Sequence, residues 1–187
     1  MRKITSDMEN PIDDILLDMC ESTMECLHQY NFTPNMITTI GNVFRLFSLY
    51  SIFHGHKLVF VVFYLLGYYF DCLDGHYARK YNMMSKFGDY YDHISDIVFN
   101  SILVYYIFFV SPLIHKTYYW NIVIIYLLFF FGLNIHFGCQ QTMKKCGETE
   151  SLDIFKNSCF TKDMIHWTKY FGSGTFISLT ALLAVIY

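Results

Sequence analysis

Four aspartates fall at spacings that place them on two helix faces. One stretch reads Asp71-Cys72-Leu73-Asp74-Gly75-His76-Tyr77-Ala78-Arg79, and a second reads Gly88-Asp89-Tyr90-Tyr91-Asp92-His93-Ile94-Ser95-Asp96. In a helix, Asp71, Asp74 and Ala78 (i, i+3, i+7) share one face, and Gly88, Asp92 and Asp96 (i, i+4, i+8) share another. A turn between the two stretches brings those faces together, so four carboxylates converge. Acids this close repel one another and take up protons unless cations compensate them. Two divalent ions offset four carboxylates, and hard oxygen donors suit magnesium or manganese. Gly75, Ala78 and Gly88 leave room for a ligand beside such metals, and Arg79 offers a two-pronged partner for a phosphate. Asp89 stands off these faces and reads as a solvated helix end.

The elements that must hold these residues are apolar. Of 187 residues, 54% are hydrophobic, 20% aromatic and only 16% charged, against roughly 25% charged in a soluble domain. A net charge of -3 gives no reason to expect nucleic-acid binding. Five long apolar stretches follow residue 34: 35–53, 57–81, 87–110, 118–143 and 164–187. Each meets or approaches the roughly 20 residues a spanning helix needs. Gly172-Ser173-Gly174 interrupts the last. The expected fold is an all-α integral membrane bundle of five to six transmembrane helices, with residues 34–187 as its domain. Residues 1–33 form an N-terminal amphipathic interfacial segment before it. There Asn10 caps a helix opened by Pro11. Ile12, Ile15, Leu16, Met19, Thr23 and Leu27 recur on one face, with the acids mostly elsewhere. That segment is too polar to span a bilayer and is expected at the interface, packed on the bundle. Thr33 caps the next helix, with Pro34 at its first position.

Residues 1–25 are acidic and lack an apolar core, so no secretory signal is expected. Six scattered cysteines without a CxxC pair argue against zinc and against a disulfide framework, and read as reduced thiols. Positive charges bias the topology: Arg2 and Lys3, then Arg79, Lys80 and Lys86, then Lys144, Lys145, Lys156 and Lys162 fall on one side, with only Lys57 and Lys116 on the other. The N-terminus and the acidic cluster are therefore expected to face the cytosol in a multi-pass membrane protein.

The pattern Asp71-x2-Asp74-Gly75-x2-Ala78-Arg79-x8-Gly88-x3-Asp92-x3-Asp96 resembles the signature of the CDP-alcohol phosphotransferase family at every defined position. Eight fixed positions at roughly 6% each coincide by chance with probability on the order of 10⁻¹⁰. Thr33-Pro34-Asn35 and Thr38 are similar to the family's opening of its first spanning helix. His76 with Asn82 and Phe87-Gly88 is similar to eukaryotic phosphatidylinositol synthases, whereas Asp92-His93 is similar to choline and ethanolamine phosphotransferases.

The resemblance implies a phospholipid-synthesis enzyme. A CDP-linked donor gives its substituted phosphate to an alcohol acceptor and releases CMP. Asp71, Asp74, Asp92 and Asp96 look like ligands of two Mg²⁺ or Mn²⁺ ions, with Asp96 also the general base. Gly75, Ala78, Arg79 and Gly88 look like the cytidine-diphosphate wall, with Asn35 and Thr38 as further donors. The short chain is similar to members that use CDP-diacylglycerol, and family members commonly form homodimers. Two rival readings remain: a choline/ethanolamine-type enzyme with diacylglycerol as acceptor, and a non-catalytic divalent-cation-binding membrane protein. The second explains four acids but not Gly75, Ala78, Arg79 and Gly88 at family spacing. His76 and His93 read as packing or hydrogen-bonding residues. His136, Cys139, Gln140 and Gln141 fit an acceptor pocket or a plain helix end equally well. Trp120 and Trp167 suit interfacial belts.

Overall fold

The computed structural model describes residues 4–143 and 151–186. Arg2, Lys3, Lys144 and Lys145, which entered the topology argument, lie outside the described residues. Seven α-helices make the fold, with no strand among the described residues: α1 (Pro11–Gln29), α2 (Pro34–Phe53), α3 (Lys57–Lys80), α4 (Lys86–Tyr105), α5 (Tyr119–Met143), the short α6 (Ile165–Thr168) and α7 (Ser173–Ile186). Among the described residues, five segments are long and apolar enough to cross a membrane: 34–53, 57–80, 86–110, 119–143 and 162–186. The third is α4 extended by a wider π turn, Tyr106–Val110. The fifth breaks at Gly172, whose extended backbone separates a 3₁₀ turn, Lys169–Phe171, from α7.

Local chemistry sets the helix starts. The Asn10 side chain accepts from the Ile12 amide and Pro11 takes the first turn. Thr33 accepts from Met36 before Pro34, and Ser85 accepts from the Gly88 amide at 3.0 Å. Each cap satisfies an amide that the first turn leaves without a partner.

Helices α2 and α3 pack through glycine. A Cβ on Gly41 would sit 3.3 Å from the Gly67 carbonyl, and one on Gly67 would lie 2.7 Å from Cγ of Arg45. Small residues let spanning helices approach closely, and here they also clear a path for the arginine stem. Tyr64, Tyr126, Phe108, Phe176 and Ala184 belong to the main core between α3, α5 and α7. Outward-facing Leu58, Phe131 and Leu128 are well exposed, as a lipid-facing surface requires.

The face of α1 differs from the sequence expectation. Asp13, Leu17, Cys20 and Met24 are buried, whereas Ile15 and Met19 are 63% and 56% exposed. Cys20 and Met24 pack with Ile37, Leu73 and Tyr77. The helix is rotated because Asp13 finds polar partners inside: the Tyr68 hydroxyl donates to its carboxylate. Thr23 and Tyr69 share a second hydrogen bond at 2.6 Å. Ile15 and Met19 are left to face outward.

The cysteines also depart from expectation. Cys139, at the end of α5, is disulfide-bonded to Cys159. The chain after α5 folds back along that helix, and Gly138 lies under the Phe155 carbonyl. This return, invisible in the spacing of the cysteines, brings their Cα atoms within 4.9 Å. Cys20, Cys26 and Cys72 are free thiols.

Candidate active site

Helices α3 and α4 bring their acidic faces together as their spacing predicts. Asp71, Asp92 and Asp96 each offer a carboxylate oxygen, and these oxygens lie within 4.8 Å of one another. Asp74 is not part of that triple. It is buried and accepts a hydrogen bond from Thr38 on α2. A residue the sequence reading passed over completes the cluster. Arg45, on α2, donates from Nη2 to Oδ1 of Asp71 at 2.7 Å, and its Nη1 lies 2.6 Å from Oδ1 of Asp96. Two signals pointed to Arg45: a lone cation inside an apolar stretch, and a position seven residues after Thr38, on the same helix face.

A cavity of about 240 Å³ opens beside this cluster. Asn35, Thr38, Gly75, Ala78, Arg79 and Gly88 all line it, as do Asp71, Asp74 and Asp92. Asp96 is not on that wall. The Arg79 guanidinium lies over Gly75, where a Cβ would meet Nη1 at 3.4 Å. A Cβ on Gly88 would approach Oδ1 of Asn35 to 2.8 Å, so glycine there keeps α4 close to the start of α2. Asp89 is not the solvated helix end expected. Its Oδ2 accepts from the Ser151 amide at 3.1 Å, and the Ser151 hydroxyl lies 3.2 Å from Nδ1 of His93. The two residues fasten the segment after α5 against α4. His76 is fully buried with Nε2 3.1 Å from Glu21. Both histidines are hydrogen-bonding residues, as expected.

The profile of the CDP-alcohol phosphatidyltransferase family matches residues 31–145, which include Arg45, the four signature aspartates and Asn35, Thr38, Gly75, Ala78, Arg79 and Gly88 of the cavity wall. The chain belongs to the CDP-alcohol phosphatidyltransferase family. It is 23% identical over 167 residues to CDP-diacylglycerol--inositol 3-phosphatidyltransferase of Candida albicans, covering 77% of this chain and 69% of that one. It is 31% identical over 70 residues to archaetidylinositol phosphate synthase of Pyrococcus horikoshii, covering 37% of each. No solved structure matches the chain significantly.

As a CDP-alcohol phosphatidyltransferase the chain is a membrane enzyme that transfers substituted phosphate groups in phospholipid synthesis. Its acidic cluster fits a divalent ion by its donor chemistry. Every offered atom is a carboxylate oxygen, and Oδ1 of Asp92 is buried without a hydrogen-bond partner. A buried acceptor left in that state costs roughly 1–3 kcal/mol, which coordination would offset.

Other polar residues of this phosphatidyltransferase reach the cavity from outside the signature. Glu9 and Asp13 come from the N-terminal region, Gln140 and Gln141 from the end of α5, and Ser173 from the start of α7. Burial raises the Asp13 carboxyl to about 7, opposed by the Tyr68 hydrogen bond and reinforced by the Glu9 charge. Gly174 leaves space for that carboxylate against the α7 backbone. Gln140 and Gln141 answered to the weak pocket signal in the sequence. Glu9, Asp13 and Ser173 lie too far from the signature along the chain for periodicity to have joined them to it.

Proposed function

We propose that the chain transfers the phosphatidyl group of CDP-diacylglycerol to a hydroxyl of an inositol-type acceptor, releasing CMP at the cytosolic face of a membrane. The observation that carries this is the gathering of the eight signature residues around one cavity and its adjoining carboxylate cluster. The CDP-diacylglycerol and inositol of the Candida relative's name supply the substrate classes. The roles follow from position. Asn35, Thr38, Gly75, Ala78, Arg79 and Gly88 bind the cytidine diphosphate, with Arg79 on the diphosphate charge. Asp71, Asp74, Asp92 and Asp96 would hold two Mg²⁺ or Mn²⁺ ions, Asp74 oriented by Thr38. When bound, such ions stabilise developing charge on the attacking and leaving oxygens of an in-line displacement. Asp96 takes the proton of the attacking hydroxyl, working by position as much as by basicity. Arg45 holds Asp71 and Asp96 in register.

The test is the purified protein in lipid nanodiscs with CDP-diacylglycerol, tritiated myo-inositol and Mg²⁺ or Mn²⁺. Formation of labelled lipid with equimolar CMP is the expected result. Release of no CMP with any alcohol, together with measurable Mn²⁺ binding, would leave the cation-binding reading in its place. Cysteine labelling at Lys156→Cys in sealed vesicles tests the orientation. Protection from an impermeant reagent added outside inverted vesicles would reverse it.

A further inference from the structure

Arg45 meets the carboxylate cluster from the side away from the cavity. Asp71 and Asp92 line that cavity, whereas Arg45 and Asp96 do not, and Arg45 is only 6% exposed. Its stem runs past Gly67, where a Cβ would lie 2.7 Å from Cγ. A phosphate in the cavity meets Arg79 on the wall rather than this guanidinium. The buried charge serves the carboxylates instead. Nη2 donates to Oδ1 of Asp71 at 2.7 Å. Nη1 donates to Oδ1 of Asn42 at 3.2 Å, and Asn42 donates in turn to the Ser95 hydroxyl at 3.1 Å. Nη1 also lies 2.6 Å from Oδ1 of Asp96, yet that oxygen has no hydrogen bond, and neither has Oδ1 of Asp92. The arginine thus offsets the charge of the cluster without using up its oxygens.

Asp71, Asp92 and Asp96 offer oxygens within 4.8 Å of one another. Ionised, these carboxylates and the guanidinium together leave two negative charges, and without the guanidinium they leave three. A divalent ion on the same oxygens and the arginine beside them are like charges a few ångströms apart, so they repel. We infer that Arg45 is a built-in counter-cation: it holds Asp71, Asp92 and Asp96 together before an ion binds, and it lowers their affinity for Mg²⁺ or Mn²⁺. The inference rests on the metal-binding part of the proposed function and is independent of donor and acceptor. It separates Arg45 from a residue that only orients the ligands. Loss of an orienting residue typically weakens metal binding by about 10- to 100-fold, whereas loss of a counter-cation strengthens it.

The test is Mn²⁺ binding by electron paramagnetic resonance, on protein stripped of metal in phosphatidylcholine nanodiscs, whose lipid carries no net charge to hold the ion. Arg45→Gln and Arg45→Met remove the charge and keep a stem beside Gly67. Each should bind Mn²⁺ at least about tenfold more tightly than the parent, because at an effective dielectric of about 20 a unit charge a few ångströms from a divalent ion is worth more than that. Arg45→Lys keeps the charge without the fork and should stay within about threefold of the parent. Saturating Mn²⁺ should also raise the thermal midpoint of Arg45→Gln further than that of the parent. Unchanged or weaker affinity in whichever neutral variants fold overturns the inference and leaves Arg45 as a positioning residue. So does an Arg45→Lys protein that binds as tightly as the neutral variants. Failure of both neutral variants to fold with Mn²⁺ present overturns it too, because the ion then cannot stand in for the arginine. No Mn²⁺ binding in parent or variants defeats the metal assignment and the inference with it. Tighter binding in the neutral variants without CMP release from CDP-diacylglycerol defeats the transferase reading alone and leaves the inference standing.

Discussion

Arg45 donates to Asp71 across 2.7 Å, from one spanning helix to the next, and the same guanidinium reaches Asp96 on a third at 2.6 Å. One cation therefore pins α2, α3 and α4 at the level of the carboxylate cluster. Removing one partner of a buried ionic network leaves the others uncompensated and typically costs 3–5 kcal/mol. Arg45→Gln should lower the thermal midpoint of the solubilised protein by several degrees, and added Mg²⁺ should restore part of the loss. Arg45→Lys keeps the charge but not the fork, and should fall between. A midpoint and turnover unchanged in Arg45→Gln would show that the contact is incidental.

The sequence carried the acidic faces because helical spacing alone places Asp71 over Asp74 and Asp92 over Asp96. It carried the spanning segments because hydrocarbon demands apolar length. It did not carry the face of α1. Ile15 and Met19 are as apolar as a core residue, and only the Tyr68 hydroxyl and the gap at Gly174 explain why Asp13 points inward instead. Nor did it carry the Asp89 contact with Ser151 or the Cys139–Cys159 bond. Both depend on how the chain returns after α5, a tertiary fact with no period. Arg45 was legible in principle, as a lone charge in an apolar helix.

Metal removal gives a second prediction. The cluster of Asp71, Asp92 and Asp96 has its oxygens within 4.8 Å, and Arg45 supplies only one positive charge to it. Excess EDTA should abolish CMP release, and Mg²⁺ or Mn²⁺ should restore it. Mn²⁺ electron paramagnetic resonance should report bound metal in the parent protein and a weaker site in Asp92→Asn. Undiminished CMP release in EDTA would remove metals from the chemistry.

Stability should depend on Asp13 through pH. Burial raises its carboxyl from 3.8 to about 7, so the folded state binds this proton more tightly than the unfolded chain. The stabilisation is then fully present below about pH 4 and is lost as pH rises through 7. A shift of about three units corresponds to roughly 4 kcal/mol across that window. Asp13→Asn keeps the neutral shape and should flatten the fall of the thermal midpoint between pH 5 and pH 8. An identical slope in parent and variant would place the titrating group elsewhere.

Catalysis and binding separate in three variants of the proposed site. Asp96 does not line the cavity and is held by Arg45, whereas Asp74 and Arg79 stand on the wall. A base acts mainly in the transition state, so its loss appears in turnover, while ligand and phosphate contacts also hold the ground state. Asp96→Asn should therefore cut CMP release by at least about 100-fold, the low end for general-base catalysis, with CDP-diacylglycerol affinity largely kept. Arg79→Ala should weaken donor affinity, because the guanidinium over Gly75 is the proposed partner of the diphosphate. Asp74→Asn should lower both, since it alters a carboxylate proposed as a metal ligand and its bond from Thr38 together. Donor affinity and single-turnover CMP release on the three purified proteins distinguish these outcomes. Near-normal turnover in Asp96→Asn would strip that residue of the base role and leave it as a partner of Arg45. Loss of donor affinity in Asp96→Asn equal to that in Arg79→Ala would instead mean that Asp96 acts through the fold of the site, not through the proton.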